Sequence, residues 1–526
     1  MNRRNFIKNV GTTSVAVATL PSVIDGFTVK ALAGGDAMGR LLEDSDRVFV
    51  IIQLTGGNDG LNTVIPVDND IYYNNRPKLA IAKNKALSLT DTLRLHPSLS
   101  GFKKLYDEGQ LAIVQGVTYP NPDRSHFRGT DIWLTATDAS VFGSTGWVGR
   151  YLDILAPGFP TELPEHPLAV QVGGTQSLGF AGSKGSMGIT FRDPDEFARL
   201  VSTGGGIEEV PAADLGDTKA AAEVEFVRNV ARSADVYATV VKTAADAAPT
   251  STVTYPNSDI AAKLRVVAQL IAGGLQSKVF LVSWENSSFD THANQVVGSD
   301  PLTGAHANLL SDLGGAVEAF MADMKNSGNA GRVAGMTFSE FGRRVAENGS
   351  LGTDHGTAAP LFVFGENVLG SVIGADPDLE TLDNRGDLLM NYDFRDIYAS
   401  VLLQWFAQPS TVVNNILYHD FSKTAVPLFK GASKVLEGAA AGSTIQFRSV
   451  SPNPASDVVT VRVHMNLVAD ATVVVHSMHG KKMLSAEVNP VSGVAQFNVS
   501  GLSTGNYILG LYSGGAVTHS LLSVQR

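Results

Sequence analysis

Asp290 and His292 stand two positions apart in SSFDTHANQ (287–295), just past the apolar run KVFLVSW (278–284). A carboxylate and an imidazole there are metal-ligand types, and they are equally ordinary residues of a polar turn. Four other stretches set a polar cluster beside an apolar run. TGGNDG (55–60) offers Asn58 and Asp59 after RVFVIIQL, and NPDRSHFRGTD (121–131) offers Ser125 and His126 between Arg124 and Arg128 after QLAIVQGV. SEFGRR (339–344) carries Glu340 after VAGMTF, and GTDHGTA (352–358) puts Asp354 and His355 just before PLFVFG. Asp and His from several strand ends can hold Zn, Mn, Mg or a mixed pair, with geometry choosing the metal. Two metals close together would suit displacement at phosphorus or sulfur, by clamping the attacking and leaving oxygens. Ser125 reads either as a nucleophile at a helix N-terminus, where Arg124 and Arg128 add charge for an anion, or as a helix cap. His126 either faces the site or packs in the core. Glu340 is a further ligand or the partner of Arg343 or Arg344, and the ion pair is the expected arrangement.

The elements that would carry these residues are legible as runs. RVFVIIQL, QLAIVQGV, PLAVQV, KVFLVSW, VAGMTFS and PLFVFG are continuous apolar stretches of strand length that alternate with helical stretches. Residues 258–275 show the helical period, with Ile260, Leu264, Val267 and Ile271 on one stripe and Ser258 as the N-cap. Fully apolar strands alternating with helices predict an α/β domain with a mainly parallel sheet covered by helices on both faces, over 46–430. Residues 203–257, rich in Ala, Gly, Asp and Thr, read as a helical insertion with flexible ends. In such a sheet ligands bind beyond the carboxyl ends of the strands, where these polar clusters are expected to gather.

At 526 residues the chain is long enough for two to four domains. Hydrophobic residues make up 44% and charged residues 17%, below the roughly 25% charge usual in soluble proteins, which excludes a disordered chain. A formal net charge of -11 without a long basic run argues against a nucleic-acid binder. The absence of cysteine removes disulfides, thiolate metal sites and cysteine nucleophiles together. The first 33 residues read as an export signal: Arg3, Arg4 and Lys8, then VGTTSVAVATLPSVI, then Ala31-Leu32-Ala33 as a cleavage site. The run from Arg3 to Lys8 resembles a twin-arginine signal, with an ordinary Sec signal as the alternative. No apolar run approaches the ~20 residues that span a bilayer.

The other end changes texture. A small-residue linker (431–447) leads into short alternating runs, VVTVRVHM, ATVVVHSM, AQFNVSGL and NYILGLYS, which read as a small C-terminal β-sandwich over 448–526. GLSTG (501–505) satisfies the G-x-S-x-G pattern of a hydrolase elbow, but it joins two strands where that chemistry needs a strand-to-helix turn, so Ser503 is read as a turn residue. SPNPASDVVTVRV, VVVHSMHGKKML, FNVSGLSTGNYILGLYSGG and the terminal SLLSVQR resemble the C-terminal sorting domain of the bacterial type IX secretion system. That resemblance implies the export and type IX machinery as partners, and a place outside a Gram-negative cell or on its outer surface.

A second resemblance spans the central domain. QLTGGNDGLNTVIP, RSHFRGTDIWLT, FDTHANQ, FSEFGRRVAENGSLGTDHGTAAPLFVFG and DFRDIYASVL are similar to the family called domain of unknown function 1501, which is grouped with the alkaline-phosphatase-like superfamily of metal-dependent phosphate- and sulfate-ester hydrolases. The resemblance implies an alkaline-phosphatase-like fold and a divalent metal, Zn, Mn or Mg. It implies Asp59 as a ligand at the end of the first strand and Ser125 as the nucleophile, with Arg128 beside it. Asp290 and His292 would serve one metal, Asp354 and His355 the other. Two departures stand against it: no His occurs between 355 and 419, and the superfamily's Asp-x-x-x-His is compressed to Asp290-x-His292. His306 could complete the shell or lie elsewhere, and His419 falls outside any motif. SHFRG lacks the proline of a formylglycine sulfatase, and the chain has no Cys. The expectations are therefore an exported ester hydrolase acting on an extracellular ester, or a surface binding protein with a degenerate site.

Overall fold

The computed structural model describes residues 23–24, 27–28, 46–203, 219–284, 288–298, 300–430, 445–465, 471–477, 482–488, 494–513 and 516–525. The expected export signal lies outside these, apart from a pairing of Val23–Ile24 with Phe27–Thr28. So does the linker over 431–444, whose last expected residues already belong to a strand, Ile445–Ser451. The chain divides into two compact units, Met1–Phe429 and Lys430–Arg526.

The first unit is built on one nine-stranded sheet. Its strands are β1 (Val48–Gln53), β2 (Leu111–Thr118), β3 (Ala169–Val172), β4 (Gly188–Phe191), β5 (Val279–Ser283), β6 (Val333–Phe338), β7 (Ala359–Gly365), β8 (Ser371–Ile373) and β9 (Tyr392–Asp393). Their order is β4-β3-β5-β1-β6-β7-β2-β8, with β9 also on β2. All neighbouring pairs are parallel except the two made by β7, which runs against both β6 and β2. The expected mainly parallel α/β sheet is what the structure shows.

β1 explains why the apolar runs are unbroken. Val48, Val50 and Ile52 enter one hydrophobic cluster and Phe49 and Ile51 enter another, so alternate side chains leave opposite faces and both faces are covered. The first cluster is closed by helices α1 (Ser100–Asp107), α4 (Asp259–Ala272) and α5 (Ala305–Asn326). The second is closed by α2 (His126–Thr135), α3 (Trp147–Leu155) and α6 (Phe394–Ser400). Ile260, Leu264, Val267 and Ile271 of α4 are all buried, as their spacing predicts. Ser258 occupies the N-cap position, but its side chain makes no capping hydrogen bond. Within the expected insertion, Lys219–Ala247 is one helix. Its residues Tyr237, Val241, Ala244 and Ala245 join the first cluster, so its second half is part of the main core.

Strand direction decides what meets at the sheet edge. Gln53 pairs with Ser283 of β5 and with Phe338 of β6, so the segments after these three strands leave from one edge. β2 reaches the same edge at Thr118, because Val117 pairs with Ala359, the first residue of β7. Only because β7 is reversed does the stretch before it, 352–358, lie at that edge as well.

The second unit comprises a three-stranded and a four-stranded antiparallel sheet around one core that includes Val459, Val473, Leu509 and Leu522. Ser503 lies between the strands Val494–Asn498 and Gly505–Ser513, and its carbonyl accepts from Tyr507 Oη at 2.9 Å. It is a turn residue, as the β-context predicts.

Candidate metal centre

The loop after β1 is glycine-rich for a steric reason. Gly56 has φ +112°, and a Cβ there would fall 2.3 Å from the backbone N of Asp290. Only glycine lets this loop lie against the segment that carries Asp290. Gly352 similarly lets its loop press on His292, whose carbonyl carbon would be 2.4 Å from an added Cβ. Arg343 ties these loops together. Its buried guanidinium donates to the carbonyls of Gly57 (2.7 Å), Gly56, Phe289 (3.1 Å) and Thr353 (2.8 Å), and to Asp290 Oδ1 (2.6 Å).

Four side chains converge beyond this frame. Asp290 Oδ1 lies 3.2 Å from His292 Nε2 and 3.2 Å from His355 Nε2, and Asp290 Oδ2 lies 3.5 Å from His126 Nε2. One ligand atom from each of His126, Asp290 and His355 lies within 4.8 Å of the others. His292 Nε2 stands 2.9 Å from His355 Nε2. Each ring is held from behind through Nδ1: His126 by Glu340 Oε1 at 2.7 Å, His292 by Asp354 Oδ1 at 3.2 Å, His355 by the carbonyl of Arg124 at 2.9 Å. An acceptor on Nδ1 keeps the proton there and leaves the Nε2 lone pair pointing forward. Two such lone pairs facing each other at 2.9 Å repel unless they share a proton or sit side by side on a metal ion, so a metal ion is one occupant that the donor set fits. Glu340 Oε2, buried and without a hydrogen-bond partner, adds an uncompensated negative atom behind His126.

The charges of Asp290 and His355 suit ligands, whereas His126 is biased toward its protonated form. Burial works against ionising Asp290, but the hydrogen bond from Arg343 and the charge of that guanidinium outweigh it and lower its carboxyl to about 2. Burial pushes the His355 imidazole below its usual range, which keeps it neutral as a ligand must be. The hydrogen bond to Glu340 raises His126, against the effect of its burial. Asp354 is lowered chiefly by a hydrogen bond from Asn348.

The other expected residues are placed differently. Asp354 stands behind His292, and His292 and His355 address one point, where the resemblance implies two half-sites. Asp59 is fully buried and bound by Arg76 Nη1 at 2.7 Å and Gln295 Nε2 at 2.5 Å. Ser125 is exposed at the N-cap of α2, where its Oγ accepts from Arg128 N at 3.5 Å. Arg128 turns away, donating to the carbonyls of Ala139 (2.8 Å) and Val141 (2.6 Å) and covering the Phe142 ring. Glu340 pairs with neither Arg343 nor Arg344. It takes the Gly56 N–H at 2.8 Å and His126 instead, a correction caused by the saturation of Arg343 with backbone carbonyls. His306 is a core histidine, 3.0 Å from Asn58 Oδ1 and pushed down to about 3 by burial. His419 is exposed and pairs with Asp138 at 3.1 Å. Arg76, Gln295, Asp383 and Asp387, which shape the site region, carry no local signal in the sequence, because each acts on a residue from a distant segment.

Fold and centre together define the class: a mostly parallel α/β domain with a histidine-rich centre at a sheet edge, joined to a C-terminal β-domain. Residues 209–423 match the family described as protein of unknown function (DUF1501), and residues 449–525 match the secretion system C-terminal sorting domain. Both resemblances read from the sequence are shown by these matches. The sorting domain marks the chain for export to the cell surface or the medium. No helix among the described residues is long and apolar enough to cross a membrane. No curated protein matches the chain. Among solved structures, a protein in the alkaline phosphatase superfamily from Vibrio parahaemolyticus is 9% identical over 91% of this chain and 82% of its own, with a TM-score of 0.35. A sulfatase from Pseudoalteromonas sp. is 11% identical over 89% and 83%, with a TM-score of 0.33. A biofilm-associated protein's BSP domain is 17% identical over 15% of this chain, which spans 14% of that one, with a TM-score of 0.14. Likeness at this level decides nothing about activity.

Proposed function

We propose that the chain is an exported, metal-dependent hydrolase of phosphate or sulfate esters, its export beginning from the twin-arginine-like segment. The observation that carries the proposal is the convergence of three imidazole Nε2 atoms on Asp290 with every Nδ1 engaged from behind. His126, His292, His355 and Asp290 would hold the cation, and a nitrogen-rich set favours Zn over Mn or Mg. When bound, the cation would act as a Lewis acid on a phosphoryl or sulfuryl oxygen. Ser125 is the proposed nucleophile: it is exposed, precedes His126 and stands at a ten-residue helix N-terminus whose first-turn N–H groups favour an anion. Arg128 has no part in this proposal, since its guanidinium is held by the 138–142 loop.

The test is turnover of aryl phosphate and aryl sulfate by the full chain loaded with Zn or Mn. Turnover is expected, and Ser125→Ala should reduce it on the order of 10³-fold or more. Unchanged turnover in that variant removes Ser125 from the mechanism. The second reading, a surface binding protein, is favoured by one observation: Asp59, Arg124 and Arg128, all suited to a hydrolase site, are engaged elsewhere. A metal-loaded chain that turns over neither ester would count against the hydrolase and favour that reading.

A further inference from the structure

We infer that Arg124 is a positioning residue, and that the loop 383–387 works through it to hold His355 and the Ser125–His126 segment at the metal centre. The inference rests on the metal-centre reading above. In the sequence Arg124 is a charge available to an anionic substrate. In the structure its charge is taken by two carboxylates: Nε donates to Asp387 Oδ2 at 2.9 Å, and Nη2 donates to the same oxygen and to Asp383 Oδ2 at 3.1 Å. The Asp387 side chain is 0% exposed and that of Arg124 17%. The other end of the residue is turned to the centre, where its carbonyl accepts from His355 Nδ1 at 2.9 Å. One residue therefore joins three segments far apart in the sequence.

The acceptor on Nδ1 fixes the tautomer and the ring plane of a ligand histidine. For His126 and His292 that acceptor is a side-chain carboxylate, Glu340 or Asp354. For His355 it is a backbone carbonyl, so its position depends on what anchors the chain around Arg124. The anchor is built before Arg124 reaches it. Asp383 Oδ1 accepts the N–H groups of Arg385 (2.8 Å) and Asp387 (2.9 Å), and Asp383 N donates to the Asp387 carbonyl at 2.9 Å. Asp387 Oδ1 has no hydrogen-bond partner, and Arg344 Nε stands 3.9 Å from it. A buried carboxylate with one bare oxygen works against folding unless a fork such as Arg124 compensates it. An apolar pair of the same volume would hold two segments together equally well. What the charged fork adds is a fixed orientation for Arg124, and through it for the carbonyl that His355 uses.

The test is Zn affinity of the full chain, measured by competition with a chromophoric chelator, with Tm recorded alongside. Asp387→Asn is expected to weaken Zn binding by roughly 10–100-fold. Asp323→Asn, which removes an acceptor of Ser251 and Tyr255 hydrogen bonds away from the centre, is expected to lower Tm and leave Zn affinity unchanged. If Asp387→Asn does not fold, Arg124→Lys keeps the charge but loses the fork, and it should show weakened binding too. Wild-type affinity in the folded variant, or equal weakening in Asp323→Asn, overturns the positioning role. Failure of the unsubstituted chain to take up Zn overturns the metal-centre reading instead, and this inference with it.

Discussion

Asp59 sits with Oδ2 2.7 Å from Arg76 Nη1, and neither side chain touches solvent. Burial opposes the charge of Asp59, but the Arg76 interaction outweighs it and holds the carboxyl below its usual range. A folded pKa below the unfolded one means stability that is present above about pH 4 and lost as pH falls through the folded value. Arg76→Met would leave the carboxylate buried without its cation, at a cost of about 3–5 kcal/mol. With the cation gone burial, the largest influence, outweighs the remaining Gln295 hydrogen bond, the folded pKa rises above the unfolded one, and acid should then stabilise the variant relative to neutral pH. Urea unfolding at pH 5 and pH 7 checks both points, and a loss below about 1 kcal/mol would contradict the account. None of this was legible beforehand. Asp59 looked like a ligand because of where it follows β1, and the residue that claims it is 17 positions away in a segment without a motif.

At the scale of elements, the strands and α4 were readable because their side-chain periods are set by burial on one face or both. The direction of β7 was not, since an apolar run carries no sign of which way it runs. That direction decides whether Asp354 and His355 meet Asp290 or lie at the far edge. The loops were half-legible: glycines at 56 and 57 signal close approach, but not what approaches. The structure supplies the neighbour, the Asp290 backbone. Gly56→Ala therefore combines a strained φ with a clash and should cost more than about 1 kcal/mol. Gly349→Ala, where an added Cβ meets nothing within 4 Å, should stay within about ±0.5 kcal/mol. Denaturant midpoints of the two variants decide the matter, and equal effects would contradict the packing described.

At the scale of the molecule, the centre is assembled from segments separated by more than 200 residues, with His126 and His355 bracketing Asp290 and His292. The parallel sheet brings the ends of β1, β2, β5 and β6 to one edge, and β7 adds the fifth segment by running the other way. Sequence reasoning expects that gathering, and the family resemblance divides it into two half-sites, Asp290 with His292 and Asp354 with His355. In the folded chain the pairs interleave: Asp354 supports His292, Arg124 supports His355, and the three Nε2 atoms share Asp290. The account's central claim is a single metal centre, and metal titration of the purified full chain tests it most directly. It predicts about one equivalent of Zn per chain, abolished by His355→Ala. Two tightly bound equivalents, or one that survives His355→Ala, would contradict it.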